Sequence, residues 1–300
     1  MKLTVIGVLL PLIMQFKAIL FAPLMSLYES VPSLSQSYDA VLSLRNPWYE
    51  KKVTPTDEVI ENITKKYKEK DYSKNAIVNV SFLVSELILL QKSNPSRFSH
   101  NVDEALTEIN NFQFEGAAKI FSAQILITEQ KDKKEKYYGL VAMATYFTDK
   151  IAAINYYNKG LDLNPYNLFL LNNLGRLYVE LESYDNAKTV FSRIVTTGKA
   201  RKKPEIISLG YSNIGVIELK QKNYPIALKN FNTALQINKK YDLKIPMANQ
   251  YTNLALTYEA EDNIEKACVN YRRARIIYHK QYYDKQAEQM FAKLKEKGCI

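Results

Sequence analysis

Cysteine and histidine are nearly absent from the 300-residue chain: Cys268, Cys299, His100 and His279 are the whole supply. Two cysteines so far apart do not make a disulfide framework, and two isolated histidines add no pattern of paired metal ligands. Neither metal nor thiol chemistry is expected. Nine glycines and ten prolines are too few for a turn-rich all-β protein. No Gly-rich phosphate loop and no Ser-His-Asp set occurs, so the reading is of no catalytic residue, no metal, no cofactor and no enzyme. What is abundant is large apolar surface, with 22 Tyr and 12 Phe in a chain that is 47% hydrophobic. Such a chain has faces to bury, and the scarcity of turn residues makes all-α the expected class.

The net charge is +10. Lysines cluster at Lys65, Lys66, Lys68 and Lys70 and again at Lys131, Lys133, Lys134 and Lys136, but Glu69, Asp132 and Glu135 are interleaved with them. The interleaving fits a solvated helix face, and no nucleic-acid partner is expected. Near the start, Leu3 to Leu27 is broken among polar residues only by Thr4, Gln15, Lys17 and Ser26. Residues 3–25 are long enough for one spanning helix, with Lys17 as the costly exception. An uncleaved membrane anchor is expected at residues 1–28, and a secretory signal cleaved before a secreted mature chain is the alternative. Lys2 and the amino terminus favour leaving the rest of the chain outside the cytoplasm, in the periplasm if the source is bacterial.

Residues 29–97 read as a helical connector. A helix over Tyr38 to Leu44 is one element of it. Thr56 with Asp57 and Glu58 opens a helix running to about Lys70, because a hydroxyl cap and early acidic residues complement free N–H groups. Ile77, Val80, Val84, Leu87 and Leu90 fall at helical spacing, with a strand over Ile77 to Val84 as the rival assignment.

Self-similarity dominates the remainder. Asn173-Leu174-Gly175 recurs as Asn213-Ile214-Gly215 and as Asn253-Leu254-Ala255, each 40 positions on. Tyr184, Ala187 and Phe191 recur as Tyr224, Ala227 and Phe231, then as Ile264, Ala267 and Tyr271. An earlier copy has Tyr137, Leu140 and Ala144 followed by Ala153, Tyr157 and Gly160, and a half-copy has Phe114, Ala117 and Phe121. A period of this size means stacked supersecondary units without a single core. The pattern resembles the tetratricopeptide-repeat (TPR) family, in which a large residue, Leu-Gly and Tyr mark helix A while Ala and an aromatic mark helix B. Glu218 departs from it, standing where helix A should carry an aromatic. The resemblance implies a TPR superhelical solenoid over residues 98–280, clear from 134, with residues 281–300 as a capping helix.

What the resemblance implies for function is a concave surface, lined by helix A, that holds a protein or peptide. The helix A positions expected to be exposed there are Asn172, Asn173, Arg176, Glu180, Ser212, Asn213, Lys220, Thr252, Asn253 and Glu259. Three asparagines in register could clamp a peptide backbone, and asparagine is also simply common at that repeat position. The expected role is a membrane-anchored scaffold in a cell-envelope complex. The alternative is an accessory of surface-polysaccharide synthesis, since an apolar span followed by helices and TPRs resembles the tail of bacterial O-antigen ligases and polymerases.

Overall fold

The computed structural model describes residues 55–93 and 95–300. The expected anchor at residues 3–25 and the helix over residues 38–44 lie outside them. Among the described residues there are thirteen helices and no strand, and no helix is long and apolar enough to cross a membrane. The described chain is an all-α helical-repeat solenoid. It forms two compact units, residues 55–170 and residues 171–300.

The first unit holds α1 (Pro55–Glu69), α2 (Lys74–Ser93), α3 (Pro95–Asn110), α4 (Phe114–Ile127), α5 (Lys131–Thr145), α6 (Lys150–Leu163) and the start of α7 (Leu168–Glu180). Ile77, Val80, Val84 and Leu87 are buried on α2, so the segment that could have been a strand is a core helix. An aromatic cluster gathers around Tyr67: the Phe112 ring lies 4.5 Å away and the Phe114 ring 5.8 Å. Phe114 in turn stacks on Phe147 at 3.8 Å. The Tyr67 hydroxyl donates to the Ile109 carbonyl, which satisfies the polar end of a fully buried ring. Tyr137, Leu140 and Ala144 are buried on α5, and Phe114, Ala117 and Phe121 on α4.

The second unit is far more regular. After α7 come α8 (Tyr184–Ala200), α9 (Pro204–Lys220), α10 (Tyr224–Lys240), α11 (Lys244–Ala260), α12 (Ile264–Lys280) and α13 (Asp284–Glu296). Helices α8 to α12 each have 17 residues and begin every 20 positions. Each three-residue connection holds a left-handed residue at its centre: Glu182, Lys202, Lys222, Asp242, Asp262 and Tyr282. At every one of these turns the following N–H reaches back five residues to a carbonyl, as in Asn223 to Glu218 at 2.8 Å and Asn263 to Tyr258 at 2.8 Å. This is the Schellman arrangement, which closes a helix and reverses the chain in the fewest residues. The 40-residue period is therefore two equal strokes of 20.

Within each hairpin the small helix A residue admits the helix B ring. A Cβ on Gly175 would lie 2.5 Å from the Phe191 ring, and one on Gly215 would lie 2.6 Å from the Phe231 ring. Phe191, Phe231 and their counterpart Tyr271 are all buried. Helix α13 caps the unit by burying Ala287, Met290 and Leu294. Phe291 is half-buried there, between Arg275 and Lys295.

Candidate partner-binding surface

Helices α7, α9 and α11 are the A helices of the second unit, and their polar positions were expected to be exposed. Seven of the ten are buried: Asn172, Asn173, Arg176, Ser212, Asn213, Thr252 and Asn253. Four of them, Asn172, Ser212, Asn213 and Asn253, form a polar ladder that ties successive A helices together. The Asn213 amide donates to Asn172 Oδ1 at 3.3 Å, and the Asn253 amide donates to Ser212 Oγ at 3.2 Å. Gln250 reaches the same hydroxyl at 3.1 Å. Ser212 and Asn253 are both 0% exposed. Buried polar groups are kept because they are paired, and here the pairing partners are the neighbouring repeats. Thr252 turns inward as well, donating to the Ala248 carbonyl at 3.1 Å. Asn213 and Asn253 thus serve the stack.

Glu259 has a different place. Its carboxylate accepts from the Tyr271 hydroxyl at 2.6 Å and pairs with Lys297 at 2.6 Å and Lys293 at 3.6 Å. It locks the end of α11 to α12 and to the capping helix. Burial, and the Glu259 carboxylate beside it, push the Tyr271 hydroxyl far above the usual tyrosine range. The hydrogen bond to Glu259 raises the ammonium of Lys297 above the usual lysine value.

Glu218 explains the one departure from the helix A pattern. It is buried, pairs with Lys188 of α8 at 2.8 Å, and accepts from Asn223 at 2.9 Å. The carboxylate thus replaces aromatic packing with an ion pair to the preceding helix B.

Of the ten predicted residues, Glu180 and Lys220 remain half-exposed, each in the last turn of its A helix and outside the ladder. They stand at equivalent positions, 40 residues apart.

The cysteines overturn a second expectation. Cys268 and Cys299 form a disulfide with Cα atoms 5.8 Å apart, joining α12 to the residues after α13. Residues 31 apart carry no local signature of pairing. The capping helix brings them together by packing back onto α12. Arg272 adds a hydrogen bond to the Cys299 carbonyl.

Comparison with known proteins agrees with this geometry. Residues 170–196, in α7 and α8, match the tetratricopeptide repeat model. The fold resembles the crystal structure of BtubC (BKLC) from P. vanneervenii, with a TM-score of 0.51 and 16% identity over 77% of this chain and 93% of that one. It also resembles aspartyl phosphate phosphatase F from Bacillus subtilis, with a TM-score of 0.50 and 14% identity over 83% and 86% of the two chains. At such identities the likeness concerns the fold. No curated protein matches by sequence.

Proposed function

We propose that this chain is a scaffold that holds a partner polypeptide on its helical repeats, tethered to a membrane by residues 3–25 with the repeats on the extracytoplasmic side. The observation that carries the scaffold reading is the unbroken series of hairpins from α7 to α13, which includes the tetratricopeptide match. Stacked hairpins make an extended, rigid frame, and frames of this kind are used to grip extended peptides or helices. Glu180 and Lys220, repeated at the A-helix ends, are the side chains through which the partner is held. The Cys268–Cys299 disulfide supports the extracytoplasmic placement, because such bonds persist in oxidising compartments.

The test is a photo-crosslinking side chain at position 180 or 220, with position 229 on the exposed face of α10 as control. Adducts are expected from 180 and 220; adducts from 229 alone would move the binding surface to the B helices. The identity of the adduct distinguishes an envelope-complex scaffold from an accessory of surface-polysaccharide synthesis. The tether predicts retention in membranes after carbonate extraction, and release of the full-length chain would refute it.

A further inference from the structure

Helices α8 to α13 alternate in direction, because each is joined to the next by a three-residue reversal and packs beside it. All turns leading from a B helix into an A-type helix therefore lie along one edge of the second unit, and all turns leading from A to B lie along the other. The two edges differ in charge. On the first, segment 199–203 has four basic residues and no acid, segment 239–244 has three with Asp242, and segment 279–285 has two and His279 with Asp284. On the other edge, segments 180–185 and 259–265 are wholly acidic, and only 220–225 is basic.

Helix-dipole complementarity accounts for lysines in the last turn of a helix, such as Lys199, Lys239 and Lys240. It does not account for Lys203, the N-cap residue of α9, where a positive charge opposes the dipole, whereas Lys244, the first residue of α11, pairs with Asp242 in the same turn. Two tyrosines stand exposed on the same edge. Tyr241 is 51% exposed at the second turn, and Tyr282 is 78% exposed at the third while holding a left-handed φ of 59°. The left-handed backbone is common to every turn of the unit, so what sets Tyr282 apart is the exposed aromatic ring it carries there.

We infer that this edge rests on an anionic phospholipid surface. Successive A-type helices touch directly, through Asn253 and Ser212 and through Thr252 and Met290, so successive turns stand about 8–10 Å from one another and the three span about 20 Å. That spacing is too wide for one phosphate and fits a sheet of headgroups. Lysines near an anionic leaflet attract it additively, and tyrosine rings settle at the boundary between headgroups and acyl chains. An acidic peptide would use the lysines but would give two isolated tyrosines no apolar layer to enter, and a single-stranded nucleic acid, whose bases stack on tyrosine, is separated by the RNA arm of the test below. The inference extends the membrane reading above and rests on it only for location.

The experiment uses the full chain carrying Trp48→Phe, which removes its single tryptophan, together with Tyr282→Trp. It is mixed with vesicles of phosphatidylcholine alone or with added phosphatidylglycerol, both containing acyl-brominated lipid. Residue 282 should be quenched on the anionic vesicles and not on the neutral ones. A second protein adds Lys199→Glu, Lys202→Glu, Lys239→Glu, Lys240→Glu and Lys280→Glu, with glutamine at the same positions as a milder set. With either set melting like the parent, quenching of residue 282 on the anionic vesicles should vanish, whether or not the chain still floats with them. Quenching that is equal on both vesicles, absent from both, or indifferent to the substitutions overturns the inference. So does a response of residue 282 to heparin or RNA with none to phosphatidylglycerol, which would assign the edge to polyanions. Flotation with anionic but not neutral vesicles would sink the anchor and leave the edge standing.

Discussion

Asn213 and Asn253 each donate to the preceding A helix, so substituting them tests packing before it tests binding. Asn213→Ala with Asn253→Ala removes two buried inter-repeat hydrogen bonds, at about 0.5–1.5 kcal/mol each, and takes the donor from Asn172 Oδ1 while Ser212 keeps Gln250. Thermal melting should fall by several degrees. Unchanged melting with lost partner binding would instead return these amides to the surface. Glu86 offers a test with pH. Burial pushes its carboxyl above the usual range, and Lys136 pulls it only partly back. An acid whose pKa is raised on folding holds its proton longer in the folded state, so its contribution to stability is lost as pH rises from about 4.5. Glu86→Gln should therefore melt higher than the parent at pH 7 and the same at pH 4. Reading these residues from sequence alone has a physical limit. The register of Asn173, Asn213 and Asn253 is plain, but whether a polar position on helix A meets solvent or the next helix depends on how closely the hairpins stack.

At the scale of the element, the 20-residue beat depends on turns whose central residue is left-handed yet never glycine in the second unit, except at the very end, where Gly298 takes this conformation after α13. This is why the sequence showed the 40-residue recurrence but not its halves: Glu182, Lys202, Lys222, Asp242, Asp262 and Tyr282 share no turn signature. The usual glycine marker is missing, and hydrophobic spacing alone carried the helices. Lys222→Gly relieves a left-handed side chain without touching a packing contact, and should stabilise by about 0.5–1 kcal/mol. Gly215→Leu should do the reverse, costing about 1–3 kcal/mol, because its Cβ meets the Phe231 ring at 2.6 Å. Urea denaturation of the two variants reads both signs. A destabilised Lys222→Gly would mean that the lysine side chain holds the turn by a contact of its own.

Over the whole molecule, stability in a repeat array is local, since each hairpin leans only on its neighbours. The Cys268–Cys299 bond closes the last helix onto the array, and a loop of that size is stabilised by about 2–4 kcal/mol. Cys299→Ser should leave α7 to α10 as protected from amide hydrogen exchange as in the parent, while α13 opens sooner. Loss of protection spread evenly from α7 onward would show that the unit melts as one body. Glu259, with Lys293, Lys297 and Tyr271, should hold part of the cap in place even when the bond is reduced.

The even beat also sets a parity rule for how such a chain can change length. Because every stroke is a helix plus a reversal, removing 20 residues would send all later helices the opposite way and exchange the charged edges. Removing 40, such as residues 204–243, would preserve direction. Asn253 would then arrive where Asn213 stood, beneath Asn172, ready to make the same hydrogen bond. The misfit would sit at one joint, where Gln250 would replace Gly210 against Val195, at a spot where even a Cβ lies 2.5 Å from the valine methyl. Growth and loss by whole hairpins are thus nearly free of topological cost, and the glycines mark the seams that must be resewn.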